Sequence, residues 1–143
     1  MTVTAILSVK GSNVVSIEPA ATLAVAAKLL AARRIGSLVV LGAGGRLSGV
    51  LSERDIVRAV GERGAAALDL PVGQVMTRTV ATCSPDDSIE SIMERMTSGK
   101  FRHMPVLDQN RLAGIVSIGD VVKDRLEAME RETAAMRDYI QSA

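Results

Sequence analysis

Two segments of the chain carry the same polar residues at the same spacing: Ser52 to Asp55 and Ser117 to Asp120, each a Ser-x-x-Asp. Each follows a short apolar run led by glycine, Gly49-Val50-Leu51 or Gly114-Ile115-Val116, and precedes a second apolar run, Ile56-Val57 or Val121-Val122. A serine with an acid three residues later at a helix start can close on itself. The hydroxyl then accepts from an N–H of the first turn, and the carboxylate accepts from the serine's own N–H. The same groups can instead serve a ligand, because a capped N-terminus still directs free amides outward and favours negative charge. Catalysis is poorly provided for. The chain has one His and one Cys, His103 and Cys83, and no nucleophile with an adjacent base and an orienting acid. His103 beside Arg102 reads as a phosphate or structural contact, Cys83 as a small buried apolar residue, and Met93, Met96 and Met104 as core packing. Neither an enzyme nor a metal site is expected.

The two corners must be positioned by strands and helices, and the pattern around them is a tandem repeat. In the first copy, Val14-Val15-Ser16-Ile17 predicts a strand that Pro19 ends. Thr22 then caps a helix whose Leu23, Ala26, Ala27 and Leu30 share one face and which ends near Arg33-Arg34. Ser37 to Leu41 predicts a second strand, Gly42 to Gly45 a hairpin-type turn, Leu47 to Leu51 a third strand, and Ile56 to Val60 a closing helix. The pattern then restarts: Pro85 follows Pro19 (85 − 19 = 66), Ser88 replaces Thr22, and Ile89, Ile92, Met93 and Met96 restore the buried face. At the corners the offset is one less (120 − 55 = 65), which places a one-residue insertion in the first hairpin turn. Each copy is preceded by an apolar opening, Ala5 to Val9 and Val72 to Met76, and Lys10, Gly11 and Asn13 have no counterpart in the second. Beyond Val122 the last helix should continue, since Leu126, Met129, Thr133, Met136 and Ile140 keep a coiled-coil-like spacing. That stripe packs either on its own chain or on a partner subunit.

Composition narrows the function. A repeat of about 60 residues buries too little surface to be comfortable alone, so the halves should need each other. Lys and Arg total 17 against 16 Asp and Glu, and the aromatics are Phe101 and Tyr139 alone. The chain therefore has neither the field nor the stacking platforms of a nucleic-acid binder, and no basic face for an anionic membrane. No apolar run reaches the roughly 18 residues of a membrane span, and Met1 to Thr4 lacks the regions of a signal peptide. A single cysteine suits a reducing compartment. A soluble cytoplasmic protein is expected.

Two repeats of strand, helix, strand, strand, helix, with Gly-hydrophobic-hydrophobic-Ser-x-x-Asp after each third strand and Phe101-Arg102-His103-Met104-Pro105-Val106 on a strand of the second, resemble a tandem CBS-domain module, named after cystathionine beta-synthase. The resemblance covers nearly the whole chain, with repeats over 8–66 and 73–130, and a stand-alone module of the family, without a catalytic or channel domain, is expected. It implies an α+β fold in which two β-α-β-β-α repeats pack by pseudo-two-fold symmetry, followed by an extended C-terminal helix. It also implies paired clefts for an adenosine-containing ligand: AMP, ADP or ATP, possibly NAD(H), or S-adenosylmethionine.

Asp55 and Asp120 occupy the family's ribose-binding position. Ser52, Arg54 and Ser117, with Lys100, Arg102 and His103, suit a phosphate, and Ser16, Val39, Thr82, Met104, Pro105 and Ile115 stand at adenine-facing positions. Ser37 takes the place of His103 in the first repeat, and Lys10 could extend one site. Arg54 stands where the second repeat has Gly119, and Arg102 and His103 stand where the first has Gly36 and Ser37, so the cations are split between the two corners. Because the family's cleft joins elements of both repeats, two unequal sites are expected and which cation serves which stays open. A regulatory, nucleotide-sensing homodimer is the implied function, with an unidentified downstream protein. A structural dimerisation adaptor with vestigial clefts is the alternative.

Overall fold

The computed structural model describes residues 2–11 and 13–142. Its elements in chain order are α1 (Val3–Lys10), β1 (Ser16–Ile17), α2 (Leu23–Arg33), β2 (Ser37–Leu41), β3 (Leu47–Ser52), α3 (Glu53–Arg63), α4 (Val72–Val75), α5 (Ile89–Gly99), β4 (His103–Asp108), β5 (Arg111–Ser117) and α6 (Ile118–Ser142). The α+β class and the repeat follow the sequence pattern, with one addition and three local corrections. The apolar opening Ala5 to Val9 is the helix α1. The first strand is Ser16–Ile17 alone, because only those two residues pair with β2, parallel to Val39 and Val40. In the second repeat that strand shrinks to one residue, Cys83, bridged in parallel to Val106. The closing helix of repeat one starts at Glu53 rather than Ile56, since the Ser-x-x-Asp segment is itself its first turn.

Helix boundaries are local chemistry. Thr22 and Ser88 accept from Val25 N and Ser91 N at the starts of α2 and α5. Both helices end on a left-handed residue at matching positions, Arg34 (φ 54°) and Lys100 (φ 56°). The hairpins hold the insertion: Gln109 and Asn110 turn the second in two positive-φ residues, whereas the first uses a longer, glycine-rich turn that includes the Ala43–Gly45 3-10 turn.

The described residues form two cores, and the chain crosses between them. Leu23, Ala26 and Leu30 of α2 pack with Leu38, Val40, Leu51 and Ile56 in one; Ile89, Ile92 and Met96 of α5 pack with Met104, Val106, Val116 and Val121 in the other. The leading helices are exchanged. Val3 and Ile6 of α1 are buried in the second core, and Val72 of α4 in the first. Backbone bonds fix the exchange: Val3 N donates to Asp87 O and Thr4 N to Pro85 O, while Val72 N donates to Ala21 O and Gly73 N to Pro19 O. Each lobe is thus completed by a segment that precedes the other repeat. After α4 the chain runs along β3, with Thr77 and Val50 exchanging both backbone bonds, and so reaches the first corner.

Candidate functional site

Both Ser-x-x-Asp corners are closed capping boxes. Ser52 N donates to Asp55 Oδ2 (2.9 Å) and Asp55 N to Ser52 Oγ (3.2 Å); Ser117 N donates to Asp120 Oδ2 (2.9 Å) and Asp120 N to Ser117 Oγ (3.2 Å). The first helical residue of each box is pinned by the residue just before the neighbouring strand: Glu53 N donates to Gly36 O and Ile118 N to Arg102 O. Antiparallel register sets Ser37 opposite Ser52 and His103 opposite Ser117. The helix caps, the cross-strand pair and the preceding strand are therefore repeated faithfully at the two corners. What surrounds them is not.

At the first corner a cavity of about 270 Å³ opens between the repeats. Ser37, Ser52 and Asp55 form one wall, and Arg54, Lys100, Arg102 and His103 supply its cationic groups. The sequence left open which cation serves which cleft; here all four, drawn from both repeats, line the same cavity. Asp55 is buried, with Arg58 Nη1 3.8 Å from its Oδ1. Sequence reasoning missed the apolar lining, which comes from Val50, Val80, Ala81 and Phe101, and the further lining residues Thr77, Thr79, Gly36 and Glu53. Residues 79–81 stand before Cys83 as Asn13 to Val15 stand before Ile17, so the repeat symmetry was the signal available for them.

Of the residues expected at an adenine, Met104 is fully buried in the second core and Val39 and Pro105 are buried strand residues. The Pro105 carbonyl accepts from Cys83 N, and the Thr82 carbonyl accepts from Arg95. Ser16 is exposed on β1. None of these lines the cavity at the first corner.

The second corner is occupied by the protein itself. Lys10, the last residue of α1, places Nζ 2.7 Å from Asp120 Oδ2 and 3.0 Å from the Ile115 carbonyl. Burial would raise the Asp120 carboxyl, but the hydrogen bonds from Lys10 and from Ser117 outweigh it and hold it below 3.8. His103 lies between the corners: burial first, then the positive charge of Lys10, push its pKa below 6.5 against the pull of Asp120. Cys83 is buried, and the loss of solvation raises its thiol to about 11, which leaves it protonated and unreactive.

A twice-built β-α-β-β-α unit, with exchanged leading helices and a capped strand-to-helix corner in each copy, defines a tandem CBS-domain pair. The chain belongs to the CBS domain family, whose model matches residues 7–62 and again 72–127. It is similar to a CBS-domain-containing protein of Agrobacterium tumefaciens of solved structure, at 45% identity and a TM-score of 0.83 over 87% of this chain and 92% of that one. An uncharacterized 17.7 kDa protein of Acidianus ambivalens is 34% identical over 87% of this chain and 74% of its own length. The fold is shared, at 24% identity and a TM-score of 0.77 over 91% of this chain and 98% of the other, with a CBS domain pair solved in complex with 5′-methylthioadenosine and S-adenosyl-L-methionine. Among the described residues, no helix is long and apolar enough to cross a membrane.

Proposed function

We propose that the chain is a cytoplasmic regulatory module whose first-corner cleft binds an adenosine-containing nucleotide and passes its occupancy to a downstream protein through a conformational change in a homodimer. The observation that carries this reading is the convergence of Asp55, Ser37 and Ser52 with Arg54, Lys100, Arg102 and His103 on one cavity that also has an apolar wall. A carboxylate accepts from the vicinal hydroxyls of a ribose, the cations and the α3 N-terminus suit phosphate, and Val50, Val80, Ala81 and Phe101 can face a base. At about 270 Å³ the cavity lies just below the usual range of ligand sites, roughly 300–1,000 Å³. AMP, ADP or ATP is therefore favoured over NAD(H).

The test is thermal unfolding with adenosine, AMP, ADP, ATP and NADH. A ligand bound by the folded state alone stabilises by about 2.7 kcal/mol at a hundredfold excess over Kd, and AMP should shift the transition more than adenosine. Asp55→Asn retains an acceptor for the Ser52 N–H but loses the charge-assisted ribose contact, so AMP affinity should fall roughly tenfold with folding nearly intact. No shift with any of the five at millimolar concentration would instead support a dimerisation adaptor. The observation favouring that second reading is the Lys10 ammonium already seated on Asp120.

A further inference from the structure

α6 is 25 residues long, and only its first half touches the body of the protein. Val121 and Asp124 are buried and Arg125 and Ala128 half-buried, with Arg125 Nη1 3.6 Å from Glu90 Oε1 of α5. Every residue from Met129 to Ser142 is exposed, so about 20 Å of helix, at about 1.5 Å per residue, stands clear of the protein. An extension of this length is marginal alone in water. Yet Val122, Leu126, Met129, Met136 and Ile140 keep their apolar spacing along it and are between 46% and 67% exposed.

Heptad geometry says which way this stripe looks. With Leu126, Thr133 and Ile140 at a and Val122, Met129 and Met136 at d, the most buried residues against the body fall elsewhere, Val121 and Ala128 at c and Asp124 at f, while Arg125 at g reaches Glu90 from the flank. Those positions lie on the side of the helix away from the a/d seam. The seam therefore faces away from its own chain, and a second helix can reach it with the two bodies on opposite flanks.

We propose that α6 pairs with α6 of a second copy of this chain as a parallel two-stranded coiled coil. Charge selects the partner and the direction. In a parallel pair each g residue meets the e residue five positions on in the other helix. Glu132 then meets Arg137, and Arg125, already turned towards Glu90, adds Glu130. An antiparallel pair on the same seam sets Glu130 beside Glu130, Glu132 beside Glu132 and Lys123 beside Arg137, all like charges. This deepens the homodimer of the proposed function and requires no nucleotide.

The test is made on the full chain without ligand, by sedimentation and by mild oxidation of Met136→Cys. In the parallel pair the two engineered cysteines face each other within disulfide reach. In the antiparallel pair each faces Leu126, leaving the cysteines about 15 Å apart, ten residues at about 1.5 Å each. Cys83 is buried, and oxidised wild-type chain is the control for it. A dimer that becomes disulfide-linked in Met136→Cys is expected, with Arg137→Glu weakening association several-fold and Glu132→Arg combined with Arg137→Glu restoring it. A wild-type monomer at high micromolar concentration, which would give the stripe to some other protein, overturns the proposal. So does a dimer in which Met136→Cys does not link. A chain that dimerises as stated but ignores all five nucleotides sinks the nucleotide reading alone, and a monomer that binds AMP sinks the coiled coil and the homodimer while leaving the nucleotide cleft standing.

Discussion

At the scale of single residues, Lys10 is the side chain that occupies the second corner and has no counterpart at the first. Its hydrogen bond to Asp120 occupies the carboxylate that would otherwise meet a ribose, whereas among the described residues the cation beside Asp55 is Arg58, at 3.8 Å. Lys10→Met should therefore raise the nucleotide stoichiometry measured by calorimetry from one per chain towards two; an unchanged stoichiometry would mean that the second corner is closed for another reason. Stability should change little near neutral pH, since the pair is partly solvated. The Asp120 pairing contributes stability above pH 3.8 that is lost as pH falls through the lowered folded-state pKa. In acid the variant and the wild type should accordingly converge. His103 sets a second pH dependence. Its lowered pKa means the folded state contributes stability above 6.5 that is lost as pH falls. A phosphate in the cleft favours the imidazolium, so binding takes up a proton and AMP affinity should rise from about pH 8 to about pH 6. His103→Gln should flatten that rise, and a slope equal to wild type would remove the ring from phosphate contact.

At the scale of elements, the first cleft depends on how closely the segment after α4 lies against β3. Gly49 permits that approach: a Cβ there would come within 2.5 Å of the Thr77 carbonyl and 3.0 Å of Met76 Sδ. At its counterpart in β5, Gly114, the obstacle is a Leu7 methyl at 2.7 Å. Backbone cannot yield as a leucine side chain can. Gly49→Ala should cost about 1–3 kcal/mol and Gly114→Ala less, measured by denaturant unfolding. Gly49→Ala should also loosen the Val50–Thr77 bridge and with it the wall at 79–81, so AMP affinity should drop further than stability alone accounts for. Equal losses at the two glycines would show that the Thr77 contact is not the limiting one.

At the scale of the whole molecule, the exchanged helices α1 and α4 tie the lobes into one unit. Ile6 sits in the second core although its chain leads into the first repeat. Ile6→Ala should cost about 2–5 kcal/mol and move a single unfolding transition, seen alike by circular dichroism and calorimetry. A transition that splits in two would mean that the lobes unfold independently. Much of this architecture is legible in the sequence. Pro19 and Pro85, Thr22 and Ser88, and the two Ser-x-x-Asp segments mark the same boundaries twice, and the apolar face of α2 returns in α5. The site was only half legible. Ser52, Asp55, Ser117 and Asp120 follow from their own spacing, but Val80, Ala81 and Phe101 carry no local signal of facing a cavity, and Met104, which looks suitable for one, is fully buried.

The sequence by itself determined the elements, the repeat and the capped corners, because hydrogen bonds across three residues and apolar faces of period 3.6 act within a short stretch of chain. Only the tertiary structure decided that Arg54 and Arg102 share a cavity, that Lys10 reaches Asp120 across the chain, that α1 completes the far lobe, and that the α6 stripe turns away from its own body. Those outcomes depend on how two cores pack side by side, and contacts between residues remote in sequence leave no spacing to be read along it.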